Sequence, residues 1–121
     1  MTQQRRDNHS TEFGLWLRQQ KDIDSKLGFT ATNLDYIWRN YKSGKWMLIE
    51  EKRKRKDAPF YQKQMFAVLH KAALNDPNYI GFYFIQFENT SPDDGKIWIN
   101  GKEATKELLT KLLRFEWIKQ R

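Results

Sequence analysis

The chain reads as a mixed α/β sandwich, a central mixed β-sheet flanked by helices, on three observations. Residues 79–87 are apolar on both strand faces, as expected of a central strand covered by helices. Residues 34–41 and 45–53 alternate with a period of two around Ser43-Gly44, which suits a short hairpin turn. Three other segments carry helical spacing of their apolar residues.

In chain order, residues 1–9 are polar and are expected to form a flexible N-terminus, and residues 10–121 a single domain. Ser10 can cap a helix running to about residue 20, with Glu12 in its first turn and Phe13, Trp16 and Leu17 as its apolar stripe. Residues 21–33 are a connection with turn chemistry at Gly28. In the first hairpin strand Asp35, Ile37 and Arg39 alternate with Tyr36, Trp38 and Asn40. In the second, Trp46, Leu48, Glu50 and Lys52 share one face and Met47, Ile49, Glu51 and Arg53 the other. A helix over residues 59–74 tolerates Pro59 at its start and turns Met65, Phe66, Leu69 and Ala73 to one side, with Gln62 on the first turn of that face. Asn75-Asp76-Pro77-Asn78 ends it. After the 79–87 strand, residues 89–95 form a loop and 96–99 a short strand. Asn100 is expected to cap the last helix with Glu103 as its capping-box partner, and Leu108, Leu112 and Phe115, flanked by Leu109 and Leu113, to form its buried stripe.

Composition narrows the chemistry. With 121 residues and 39% apolar content the chain can fold without covalent staples. The absence of cysteine excludes disulfides, zinc–thiolate sites and thiol nucleophiles. His9 and His70 are the only histidines, so a resident metal would be held by oxygens, which favours Mg²⁺ or Mn²⁺. No apolar run approaches a membrane span and no signal-peptide core is visible, so no membrane association and a cytoplasmic protein are expected. The net charge of +7 favours a polyanionic partner, most often nucleic acid. The charge is clustered: Arg39, Lys42, Lys45, Lys52, Arg53, Lys54, Arg55 and Lys56 are opposed in their segment by only Glu50 and Glu51. Such a run is ordinarily a solvated surface, but here it extends a core strand, which holds it close to the candidate site.

That site is the run Trp46-Met47-Leu48-Ile49-Glu50-Glu51-Lys52 together with Asp35. Glu50 and Lys52 project to one face, and the hairpin brings the Asp35 carboxylate beside them. Phosphodiester hydrolysis needs an activated water and neutralisation of charge on a crowded phosphorane, which a divalent ion held by carboxylates supplies. Asp35 and Glu50 would be metal ligands, the Glu51 backbone carbonyl would complete the set, and Lys52 would be the catalytic cation. Gln62 and Glu12 would be supporting or additional ligands, although Glu12 also fits as a surface residue favoured by the helix dipole. The plainer alternatives are that Asp35 merely begins a strand, that Glu50 and Glu51 pair across strands with Arg39 or Lys42, and that Lys52 opens a solvated run. Against them, Glu50 and Lys52 share the face of Trp46 and Leu48, where a charge must be paired or metal-bound. His70 is read as a packed or surface residue, and Asp93-Asp94 before Gly95 as turn formers.

The arrangement resembles the PD-(D/E)xK nuclease superfamily, which includes Holliday junction resolvases, many restriction endonucleases and phage or repair nucleases. The matching residues are Asp35 and Glu50-Glu51-Lys52 after the apolar Trp46-Met47-Leu48-Ile49. Glu12 would match the acid that the family carries on an early helix, and Gln62, rather than Gln64, the glutamine on the helix after the lysine strand. Leu34 stands where a proline often precedes the aspartate, and fewer strands precede Glu50 than in the minimal core, unless residues 29–33 supply one. The resemblance implies a restriction-endonuclease-like αβββαβ core with an extra C-terminal helix. It also implies a Mg²⁺- or Mn²⁺-dependent endonuclease acting on DNA, including branched or structured forms. Small resolvase-like and phage-encoded members often act as homodimers, and a homodimer is expected by that analogy alone.

Two other readings compete. A non-catalytic nucleic-acid-binding module with a nuclease-like fold would use the basic strand end to hold phosphates and Trp38, Trp46 and Tyr61 to stack bases. An inhibitor or assembly partner on the same fold would use C-terminal aromatics such as Trp117.

Overall fold

The computed structural model describes residues 11–116, so Ser10, His9, Trp117 and the expected flexible N-terminus lie outside the described residues. The chain divides into two compact units at the Thr32/Asn33 boundary. The first holds helix α1 (Glu12–Arg18) and two 3₁₀ turns, Lys21–Ile23 and Ser25–Leu27. Thr11 takes the capping position, its side chain accepting from the Gly14 N–H at 3.0 Å. No residue of α1 is buried, and Phe13 and Trp16 stack on each other with ring centroids 6.0 Å apart. Gly28 ends the second 3₁₀ turn in the left-handed region, φ 98°.

The second unit is a mixed sheet with helices on its faces. Its elements are β1 (Tyr36–Arg39), β2 (Trp46–Lys52), α2 (Phe60–Ala73), β3 (Tyr79–Phe87), β4 (Ile97–Ile99), β5 (Lys102–Ala104) and α3 (Lys106–Leu113). The strands lie in the order β1-β2-β3-β4-β5, and every neighbouring pair is antiparallel except β2 and β3, which run parallel. A parallel pair needs a crossover connection, and α2 supplies it.

Period-two alternation decides what each face of the sheet buries. Met47, Ile49, Tyr83, Ile85, Phe87, Ile97 and Ile99 point to one side and meet Leu109, Leu112 and Phe115 at and beyond α3. Leu48 is paired with Phe82 on the other side, where Phe66 of α2 packs on Phe82 with ring centroids 4.9 Å apart. β3 therefore has both faces covered, which explains why it lacks a polar face in sequence. His70 Nδ1 lies 2.7 Å from the Tyr79 hydroxyl, so it packs as a hydrogen-bonded partner.

The hairpin joining β1 to β2 is closed by Asn40. Its side-chain oxygen accepts from the N–H groups of Lys42 and Ser43, and Gly44 follows with φ 82°. Two expectations are corrected here. Asn100 does not cap the last helix, and Glu103 is no capping-box partner: Asn100 (φ 50°) and Gly101 (φ 86°) are the two central residues of a tight hairpin turn between β4 and β5. Positive φ at both positions is the type I′ requirement, and Asn-Gly meets it best. Asn100 also exchanges two hydrogen bonds of 2.8 Å with the Phe84 backbone, and the helix starts instead at Thr105, whose hydroxyl accepts from the Leu108 N–H at 3.1 Å. Residues 29–33 form no strand, so two strands precede the crossover helix rather than three. The observed order, αββαβββα, shares the α/β class and the C-terminal helix with the expected αβββαβ core and departs from it in strand count. Among the described residues no helix is long and apolar enough to cross a membrane.

Leu112 is fully enclosed between α3 and the sheet. Leu112→Ala leaves a cavity there and is expected to lower stability by about 2–5 kcal/mol in urea unfolding. A loss under about 1 kcal/mol would show that α3 contributes little to the core.

Candidate active site

Glu50 sits near the end of β2 with 3% of its surface exposed, beneath a strand of apolar side chains that gives it no solvent. The hairpin register pairs Tyr36 with Ile49, so Asp35, one residue earlier, falls opposite Glu50. The two acids are tied together reciprocally. The Asp35 N–H donates to Glu50 Oε1 at 3.2 Å, and Asp35 Oδ2 accepts from the Glu51 N–H at 2.9 Å. Lys52, two residues on and on the same face, places its Nζ 3.4 Å from Glu50 Oε2. The Glu51 side chain turns to the other face and is half-buried, so what Glu51 offers the site is its backbone.

Burial and the Asp35 carboxylate both disfavour charge on Glu50, burial more strongly, and its pKa rises from 4.5 to about 7. The hydrogen bond from the Asp35 backbone and the Lys52 ammonium pull the other way without cancelling this. A buried acid with a raised pKa, held beside a second carboxylate and a lysine, makes this strand end the candidate site.

Helix α2 carries Gln62 towards the same end of the sheet. Its contacts step backward along β3, with Phe66 against Phe82 and His70 against Tyr79, so α2 runs antiparallel to β3. One further turn brings Gln62 to the level of Phe84, the β3 partner of Glu50. Gln62 is half-buried and its side-chain oxygen is enclosed. Gln64 is exposed. Glu12 is exposed in the first turn of α1, in the N-terminal unit, while Asp35, Glu50, Lys52 and Gln62 all belong to the second.

The basic cluster separates into two groups. Arg39 pairs with Trp46, so Arg39, Lys42 and Lys45 lie around the hairpin turn at the start of β2. Glu50 and Lys52 lie at its other end, and the seven residues of β2 span roughly 20 Å. The expectation that the whole cluster sits close to the site is corrected to Arg53, Lys54, Arg55 and Lys56. Residues close in sequence are set far apart when an extended strand lies between them.

The turn after Lys52 is held tightly. Lys54 and Arg55 are both in the left-handed region, with φ 56° and 52°, which non-glycine residues adopt at a cost. The compensating bonds come from the end of β3: the Lys54 N–H donates to Asn89 O at 2.9 Å and the Arg55 N–H to Phe87 O at 2.7 Å. Gln86 donates its side-chain amide to Lys56 O at 2.9 Å. The Arg55 guanidinium lies 4.1 Å from the centre of the Trp98 ring. Sequence reasoning missed Gln86 and Trp98. Gln86 carried a signal, since it is the lone amide in an otherwise apolar strand.

Among the described residues no three His, Cys, Asp or Glu side chains gather into a metal-binding group. Trp38 and Trp46 are occupied structurally, the first donating its indole N–H to Leu113 O at 2.8 Å and the second packing on Tyr79 with centroids 4.8 Å apart. Asp93 and Asp94 serve the 88–96 loop: Asp94 accepts from Thr90 and Ser91, and Asp93 pairs with Lys106 at 3.1 Å.

The Glu50 shift makes stability depend on pH with a definite sign. Below about pH 4.5 Glu50 is protonated in both folded and unfolded chains and contributes no dependence. Between 4.5 and about 7 the unfolded chain releases the proton and the folded chain keeps it, so stability falls as pH rises. Above about 7 the loss is complete, on the order of 3 kcal/mol. Glu50→Gln removes this term. The stability difference between Glu50→Gln and wild type is therefore expected to grow in the variant's favour across that window and then level off in urea titrations, whereas a flat difference would contradict the buried, proton-holding carboxylate. Compared with protein-family models, curated proteins and solved structures, the chain matches none.

Proposed function

We propose that this protein is a metal-dependent endonuclease that hydrolyses phosphodiester bonds in DNA, including branched or structured forms. The observation that carries the reading is the buried Glu50 carboxylate held against Asp35 with Lys52 at 3.4 Å. The resemblance to PD-(D/E)xK nucleases supports it, with the fold read as a reduced restriction-endonuclease-like core. A cytoplasmic location and a homodimer belong to the same reading.

The donor set suits a hard divalent cation. Every candidate ligand is an oxygen, and a cation would turn the Asp35–Glu50 repulsion into shared attraction. Asp35, Glu50 and the Glu51 carbonyl would hold Mg²⁺ or Mn²⁺. The bound ion would lower the pKa of a water and polarise the phosphoryl oxygen. The chain's own contribution is positional. The Asp35–Glu51 hydrogen bond fixes the aspartate, the apolar surround keeps bulk water from Glu50, and Lys52 stands where it can donate to a developing negative charge. Gln62, half-buried on α2, would be a supporting ligand, and Arg53, Lys54, Arg55 and Lys56 would hold the phosphate backbone nearby.

One observation favours the second reading, a non-catalytic nucleic-acid-binding module. Lys52 already closes an ion pair on Glu50, and the described residues bring two acids rather than three together.

Incubation with supercoiled plasmid, single-stranded DNA and a four-way junction, with Mg²⁺, Mn²⁺ or EDTA, separates the two. Lys52→Ala and Asp35→Ala are each expected to reduce metal-dependent cleavage by on the order of 100-fold or more while DNA binding persists. Mg²⁺ is expected to raise the Tm of wild type and leave Asp35→Asn unmoved. Binding without cleavage, equal in wild type and both alanine variants, would leave the binding module.

A further inference from the structure

The end of the sheet that carries Lys52 also carries unburied aromatic rings, two of them on α2. Because α2 runs antiparallel to β3, its first turn lies at the end marked by the Lys52–Gln86 pair. Phe60 and Tyr61 open that turn, 74% and 52% exposed. Neither ring stacks on another aromatic among the described residues.

The support beneath them is fixed. The Gln86 amide holds Lys56 O, and the β3 end holds the N–H groups of Lys54 and Arg55. Asp57 accepts from the Ala58 N–H at 2.8 Å and pairs with Lys63 at 2.8 Å. Arg53, Lys54 and Lys56 are exposed on the same turn. Basic side chains beside exposed ring faces answer two different groups on one ligand, phosphates and unstacked bases. A duplex offers only the first, since its base faces are already stacked. Trp38 and Trp46 are engaged within the fold. Tyr36, at the start of β1, is also 52% exposed at this end, and Phe60 and Tyr61 are the rings that follow the basic turn directly in the chain.

We propose that Phe60 and Tyr61 form a base-stacking ledge which, with Arg53, Lys54 and Lys56, binds single-stranded nucleic acid and lays its backbone across the Asp35–Glu50–Lys52 end of β2. The delivery of a strand for cleavage rests on the nuclease reading, whereas the binding preference does not.

The test is fluorescence anisotropy with one labelled oligonucleotide, single-stranded and as its duplex, in EDTA. Wild type, Phe60→Ala/Tyr61→Ala, Phe60→Tyr/Tyr61→Phe and Lys54→Gln/Lys56→Gln are compared. Wild type is expected to bind the single strand more tightly than the duplex. Loss of both rings should weaken single-strand binding tenfold or more and leave duplex binding unchanged, the aromatic exchange should restore it, and the lysine changes should weaken both forms and flatten the salt dependence. Equal loss on both forms, no loss, or tighter binding of the duplex by wild type would overturn the ledge. A parallel Mg²⁺ cleavage assay with Lys52→Ala keeps the two readings apart. Single-strand preference without cleavage removes the nuclease and keeps the ledge, and Lys52-dependent cleavage without ring dependence does the reverse.

Discussion

The desolvated carboxylate of Glu50 is the constraint around which the second unit is arranged. An acid taken out of water must be neutral or compensated, and the fold provides compensation from two directions: the Asp35 backbone and Lys52. These two contacts fix where β1 must begin and which way Lys52 must point. The same position in a merely structural strand would be filled by an aliphatic residue at no electrostatic cost. Glu50 thus shows a local rule broken where the rest of β2, Met47 to Ile49, obeys it.

Around that carboxylate, the polar side chains are used sparingly and to different ends. Asp35 holds a backbone N–H, Gln86 latches the turn that follows Lys52, and Asn100 ties the β4–β5 turn back to β3. Each is a side chain substituting for a missing strand neighbour at the point where regular pairing stops. The sheet stays short, and its polar end is held by these side-chain bonds.

Parts of this were legible in the sequence. β3 could be read because a continuous apolar run has one economical home, and the adjacency of Asp35, Glu50 and Lys52 followed from strand alternation plus a turn at Ser43-Gly44. Other parts depended on competition or distance. Asn100 suits both a helix cap and a left-handed turn position, and Gly101 decided between them. Arg39, Lys42 and Lys45 looked like one cluster with Lys52–Lys56 because they are near in sequence, but the extended strand β2 sets the two groups at its opposite ends. The shape of the 53–59 turn rests on Gln86, some thirty residues away, and no local pattern announces such a contact.

The single parallel pair in the sheet also separates local contacts from distant ones. The β1–β2 hairpin closes over a short loop, whereas β2 meets β3 only after the whole of α2 has been traversed. Glu50 stands opposite Phe84 of β3, so the burial that raises its pKa belongs to the assembled sheet and not to the hairpin sequence. The pH dependence of stability therefore reports on long-range pairing as much as on one carboxylate.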